Sequence, residues 1–200
     1  MSRPRESGIF LLFAFAAVAG TAQAGPLHDA VRAGDLDQLT TLIASGLAAD
    51  DRDLRGETPL IVAALTGQAG LAEALIAAGA DIEARNDRGF GPLHAAAYGG
   101  SAEIAAMLLD RGAEVDALSE FDVTPLHVAA EENSVDVAEL LITRGADIEA
   151  VQAFGYTPLS RATFMQSGEL MALLKRRGAV CQPAELVGPA SREACLAAGN

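Results

Sequence analysis

No tryptophan occurs in this chain of 200 residues, and aromatics make up only 4% of it. Half of the residues are hydrophobic all the same, so a core must be built from Ala, Leu, Ile and Val, which suits thin helices packed closely. Basic residues are scarce: 14 Lys and Arg stand against 27 Asp and Glu, for a formal charge of −13. A surface this acidic repels phosphate backbones, and no Lys/Arg cluster offsets it, which argues against a nucleic-acid partner. Keeping an Ala-rich chain soluble is the simplest use for such charge. The glycines follow no phosphate-loop spacing such as G-x-x-x-x-G-K. The apolar run at residues 9–20 has 12 residues, too few for the ~20 that a membrane helix needs.

What the chain has is a period. Pro26, Pro59, Pro92, Pro125 and Pro158 are each 33 residues apart. Leu27, Leu60, Leu93, Leu126 and Leu159 follow them, and Ala30, Ala63, Ala96, Ala129 and Ala162 keep the same beat. A second comb, Gly46, Gly79, Gly112, Gly145 and Gly178, runs in phase. Two combs in register over five units mark a repeat protein, whose core lies between neighbours rather than around one centre. Within a unit, Pro sits in the first turn of a short helix, where its missing N–H and fixed φ do no harm. Thr58, Thr124 and Thr157 precede it and can cap that helix, while Gly91 caps less well. A second helix supplies the larger core residues, among them Leu71, Leu75, Ile104, Leu108, Val137, Leu141, Leu170 and Leu174, and the Gly comb stops it in the left-handed conformation.

Residues 1–24 read as a secretory signal peptide rather than as fold. Arg3 and Arg5 form a weakly basic start, the apolar run follows, and Ala22-Gln-Ala24 is a small-x-small cleavage site. The arginines are not adjacent, and Gly25 rather than Cys follows the site, which argues against a twin-arginine signal and a lipid anchor. The expected destination, for a chain of bacterial style, is the periplasm, with secretion as the alternative.

The units resemble those of ankyrin-repeat proteins. The residues that carry this are Gly56-Glu-Thr-Pro-Leu-Ile61, Gly89-Phe-Gly-Pro-Leu-His94, Asp122-Val-Thr-Pro-Leu-His127 and Gly155-Tyr-Thr-Pro-Leu-Ser160, with Gly79-Ala-Asp81, Gly112-Ala-Glu114 and Gly145-Ala-Asp147 at the far ends. The resemblance covers residues 25–180 and implies an all-α solenoid of about five units, each two antiparallel helices and a protruding β-turn finger. The first unit, with Arg32, Asp37 and Gln38 outward, reads as the N-terminal cap. Two positions depart from the family pattern after the first helix, Asn133 and Gln166, where glycine is expected. In the C-terminal tail, residues 181–200, Cys181 and Cys195 are the two cysteines of the chain. In an oxidising compartment they are expected to pair. Closing that loop of about 15 residues is worth about 3 kcal/mol in the chain-entropy model. The tail, with a short helix at 191–198, would then fold over the open end of the stack; a redox or metal role is the alternative.

Chemistry is harder to find. His28, His94 and His127 all fall on the family's Leu-His position, which implies a structural role, and one per unit they cannot converge on a metal or a nucleophile. The reading is of a protein that is no enzyme and uses no cofactor or metal. The resemblance places the finger tips, the residue after the finger glycine and two late first-helix sites on the concave side. All six aromatics of residues 25–200 stand there: Phe90, Tyr98, Phe121, Phe154, Tyr156 and Phe164. With Arg88, Met165 and the acidic Glu131 and Glu132 they have the composition of a binding hot spot. The competing reading is that the rings pack between neighbouring fingers and stiffen the array. The expected function is a monomeric periplasmic scaffold that binds a protein partner, such as an envelope enzyme it stabilises or localises, without nucleic acid or membrane insertion. The alternative is a secreted factor that meets its target outside the cell.

Overall fold

The computed structural model describes residues 24–198; the expected signal peptide lies outside the described residues except for Ala24. Among those residues are twelve helices and no strand. Ten form five units: α1 (Pro26–Ala33) with α2 (Leu36–Ala44), α3 (Pro59–Leu65) with α4 (Ala69–Ala77), α5 (Pro92–Tyr98) with α6 (Ala102–Asp110), α7 (Pro125–Glu131) with α8 (Val135–Thr143), and α9 (Pro158–Phe164) with α10 (Gly168–Arg176). First helices pack on first helices and second on second, so the stack has two layers. A continuous apolar core, Leu and Ala in the main, runs between them.

Each element starts and stops where its chemistry dictates. Thr58, Thr124 and Thr157 accept the N–H three residues on, each at 3.3 Å, and satisfy a donor the first turn leaves open. The glycine comb that ends the second helices has φ between 89° and 101°, a conformation a side chain resists. Asn133 and Gln166 adopt the left-handed turn that Gly34, Gly67 and Gly100 make elsewhere, with φ of 55° and 57°. Gln166 therefore holds a strained backbone.

The finger turns are closed by hydrogen bonds. Asp53 Oδ1 accepts from the N–H groups of Arg55 and Glu57, and Asn86 Oδ1 from those of Arg88 and Phe90. Successive fingers are joined edge to edge by Asp87 N–H to Arg55 O, Glu120 N–H to Arg88 O and Ala153 N–H to Phe121 O, at 2.9–3.1 Å. Gly89 is required by this approach, since a Cβ there would stand 2.8 Å from Glu120 N. The histidines tie fingers to helices. Nε2 of His28, His94 and His127 reaches the carbonyls of Glu57, Val123 and Tyr156 in the following unit, at 2.8, 2.9 and 3.0 Å. Among the described residues no finger follows the last unit, and Ser160 takes the histidine's place there.

The tail closes the C-terminal end as expected. Cys181 and Cys195 are joined, and α12 (Pro189–Ala197), after the short α11 (Ala184–Val187), packs on α9. Gln182 Nε2 donates to Gly155 O at 2.8 Å. Lys175 Nζ donates to the carbonyls of Cys195 and Leu196 at the end of α12, where a cation suits the negative helix end.

Candidate protein-binding face

Each finger offers its tip to solvent and its last residue to the core. The residue after the finger turn is Glu57, Phe90, Val123 or Tyr156, and the first three are buried. This corrects the expectation of an exposed ring at Phe90. Its side chain is only 3% exposed and sets its edge against His94, with ring centres 5.2 Å apart. The physical reason is the turn itself, which swings this residue back over the first helix that follows. Glu57 shares the site, and burial pushes its carboxyl pKa up. Tyr156 remains half-buried, since only the tail lies beyond it.

The tips differ along the array. Arg88 is half-buried, its backbone held by Asn86. Phe121 and Phe154, one unit apart, face each other at 5.8 Å with rings tilted by 33°. Phe121 packs partly on the core, whereas Phe154 is 47% exposed. Leu118 and Val151, at the starts of the same fingers, are 52% and 57% exposed. At the ends of the first helices, Phe164 and Met165 are exposed and Tyr98 is half-buried.

Between these rings lies a charged hub. Arg161 is buried on α9 and stacks over the Tyr156 ring at 5.4 Å. Tyr156 in turn meets Phe164 edge to face, at 5.2 Å. The Arg161 guanidinium pairs with Glu131 of the preceding unit at 3.6 Å. With the Gln152 amide oxygen turned toward it, Arg161 also donates to that oxygen through Nε and Nη2, at 3.2 and 2.8 Å. Burial raises the Glu131 pKa to about 6 against the opposing pull of Arg161. The exposed Glu132 carboxyl is also raised by desolvation, and Tyr98 is raised by desolvation and by the Glu132 charge. Glu131, Tyr156, Phe164 and Arg161 are thus one cluster; Arg88 and Phe90 stand outside it.

Sequence reasoning missed Leu118, Val151, Gln152 and Arg161. The period itself carried the signal. Positions 52, 85, 118 and 151 read Arg, Arg, Leu, Val, and positions 62, 95, 128 and 161 read Val, Ala, Val, Arg. At both positions the later units depart from the residue type of the earlier ones.

Among the described residues no group of three His, Cys, Asp or Glu could hold a metal ion. No described helix is long and apolar enough to cross a membrane. Family models describing ankyrin repeats match residues 27–119 and 108–162. Curated proteins give no match. Ankyrin repeats are generic protein–protein interaction modules, generally without catalytic activity. The two models together match residues 27–162 and the helix pairs stack accordingly, so the chain belongs to the ankyrin-repeat family.

Proposed function

We propose that this protein is exported and acts as a non-catalytic scaffold, holding a partner protein in the periplasm against its fourth and fifth units. The observation that carries this reading is the set of apolar side chains those two units leave partly or fully exposed, Leu118, Phe121, Val151, Phe154, Phe164 and Met165, with Glu120, Glu131 and Glu132 in the same units. Exposed rings and aliphatic groups cost solvation without adding to the core, and exposed apolar groups among polar ones are the usual form of a protein-binding surface. Arg161 stacks on Tyr156 and Tyr156 on Phe164, and a ring already packed against a neighbour loses less side-chain freedom on binding. Export is supported by the leader pattern of residues 1–24 and by the Cys181–Cys195 bond, which an oxidising compartment preserves.

The test is an affinity capture from envelope extract with residues 25–200 as bait, followed by titration of the captured protein. Phe154→Ala with Phe164→Ala should weaken binding at least tenfold with the fold intact. Arg55→Ala with Arg88→Ala should leave it within about twofold. Capture that both variants retain equally rejects this face.

A further inference from the structure

In three units the cap of the first helix is closed in one way. The backbone N–H of the cap residue donates to the side chain three residues on: Gly91 to His94 Nδ1 at 3.3 Å, Thr124 to His127 Nδ1 at 3.3 Å, and Thr157 to Ser160 Oγ at 2.8 Å. His28 holds the corresponding place in α1. Its ring is fully buried, and its Nε2–H donates to Glu57 O at 2.8 Å, which leaves Nδ1 as the acceptor. That Nδ1 is buried and has no partner. A buried acceptor without a donor keeps the whole desolvation cost of the lost hydrogen bond.

The donor that would complete the pattern is the nitrogen of Gly25, the cap of α1. The surroundings of Gly25 hold a second, independent feature. A Cβ on Gly25 would collide with the Asp51 carboxylate and lie 3.9 Å from His28 Nδ1. An anion and a buried acceptor therefore converge on the backbone of one glycine. A peptide nitrogen has a single N–H fixed in the amide plane, and it meets neither need here.

We propose that this is the seat of a free α-amino group, made by cleavage between Ala24 and Gly25. Hydrolysis of that bond consumes one water and leaves a carboxylate on Ala24 and an ammonium on Gly25. The ammonium has three hydrogens that rotate about the N–Cα bond. One reaches His28 Nδ1, closing the cap as in the later units, and another reaches the Asp51 carboxylate, giving a charge-assisted bond. The processed N-terminus is then a working part of the first repeat, and the uncleaved chain has an unfinished first helix. The cleavage event rests on the export reading above; the seat rests on Gly25, His28 and Asp51 alone.

The test compares residues 25–200 carrying a free Gly25 amine with the same protein acetylated on that amine. Lys175 is the only other amine in this segment, and α-amines as a class lose their proton at lower pH than lysine side chains do, so acetylation near neutral pH selects Gly25. The free form should melt about 2–4 °C higher, the shift expected of one good hydrogen-bonding group in a domain this size. Asp51→Asn should lower the melting temperature of the free form and leave the acetylated form unchanged. Equal melting temperatures for the free and acetylated proteins overturn the seat. Mass spectrometry of the protein exported with its own leader should show a chain starting at Gly25. A start elsewhere overturns the cleavage assignment whatever the melts show, whereas a start at Gly25 with equal melts removes the seat and leaves export standing.

Discussion

The fingers of the second and third units and those of the fourth and fifth share a backbone path and carry opposite side chains. Arg52 and Arg85 open the first pair, and each reaches one unit forward, to Arg85 O at 2.6 Å and Leu118 O at 2.7 Å. Leu118 and Val151 open the second pair and can make no such stitch. Arg55 and Arg88 stand near the tips of the first pair where Phe121 and Phe154 stand in the second. Yet the bond that joins finger to finger continues through both halves, from Arg55 O to Ala153 N–H. Stacking therefore does not need the exchange of arginine for apolar residues. The first half joins its fingers through arginine side chains as well as through the backbone, whereas the second half has the Phe121–Phe154 contact and leaves Leu118, Val151 and Phe154 largely exposed.

The sharpest test removes one phenylalanine from each half, Phe90 after the turn of a first-half finger and Phe154 at the tip of a second-half one. Phe90→Ala should cost about 3–5 kcal/mol, the usual range for a buried ring. Phe154→Ala should cost less than about 1 kcal/mol, in keeping with a side chain half open to water. Urea denaturation of both variants reads the difference, and equal losses would erase the distinction. Next in size is the C-terminal staple. Cys181→Ser with Cys195→Ser should lose about 3 kcal/mol, and hydrogen exchange should quicken in α9 and α12 while α1 to α4 keep their rates.

Acid gives a third test, with one histidine in each half. Burial holds the His94 and His127 pKa values down to about 4, below the 6.5 of the unfolded chain. Between those values the unfolded state binds more protons, so their contribution is complete above pH 6.5 and declines as pH falls toward 4. Glu131 acts in the opposite sense: with its folded pKa raised to about 6, it gains stability as pH falls through that value. Melting temperature measured from pH 7 to pH 4 should therefore fall more steeply in the wild type than in His94→Gln with His127→Gln. The smallest effects sharpen the comparison from the other side. Leu118→Arg, extending the arginine stitch, should gain about 0.5–1 kcal/mol while weakening partner binding. Gln166→Gly should gain about as much by relieving a left-handed backbone.

The helices were legible because their ends are written in residues with one conformational meaning. Pro at 59, 92, 125 and 158 opens a first helix, and Gly at 46, 79, 112, 145 and 178 closes a second. Cys181 and Cys195 made the folded-back tail legible as well. The inward turn of Phe90 was not, because a finger has no period to say which of its residues faces the core. Arg161 was missed for another reason: its partners Glu131 and Gln152 lie in the preceding unit and in its own finger, and only the fold brings them together. The open Nδ1 of His28 differs from its counterparts by a single hydrogen bond, which no spacing in the sequence records.

The claim that matters most is that the two halves divide holding together from holding a partner. Hydrogen exchange of residues 25–200, free and saturated with the captured partner, addresses it directly. The division predicts slowed exchange in the fingers at 118–123 and 151–156 and at the end of α9, with the fingers at 52–57 and 85–90 unchanged. Protection centred on the arginine fingers instead would contradict it.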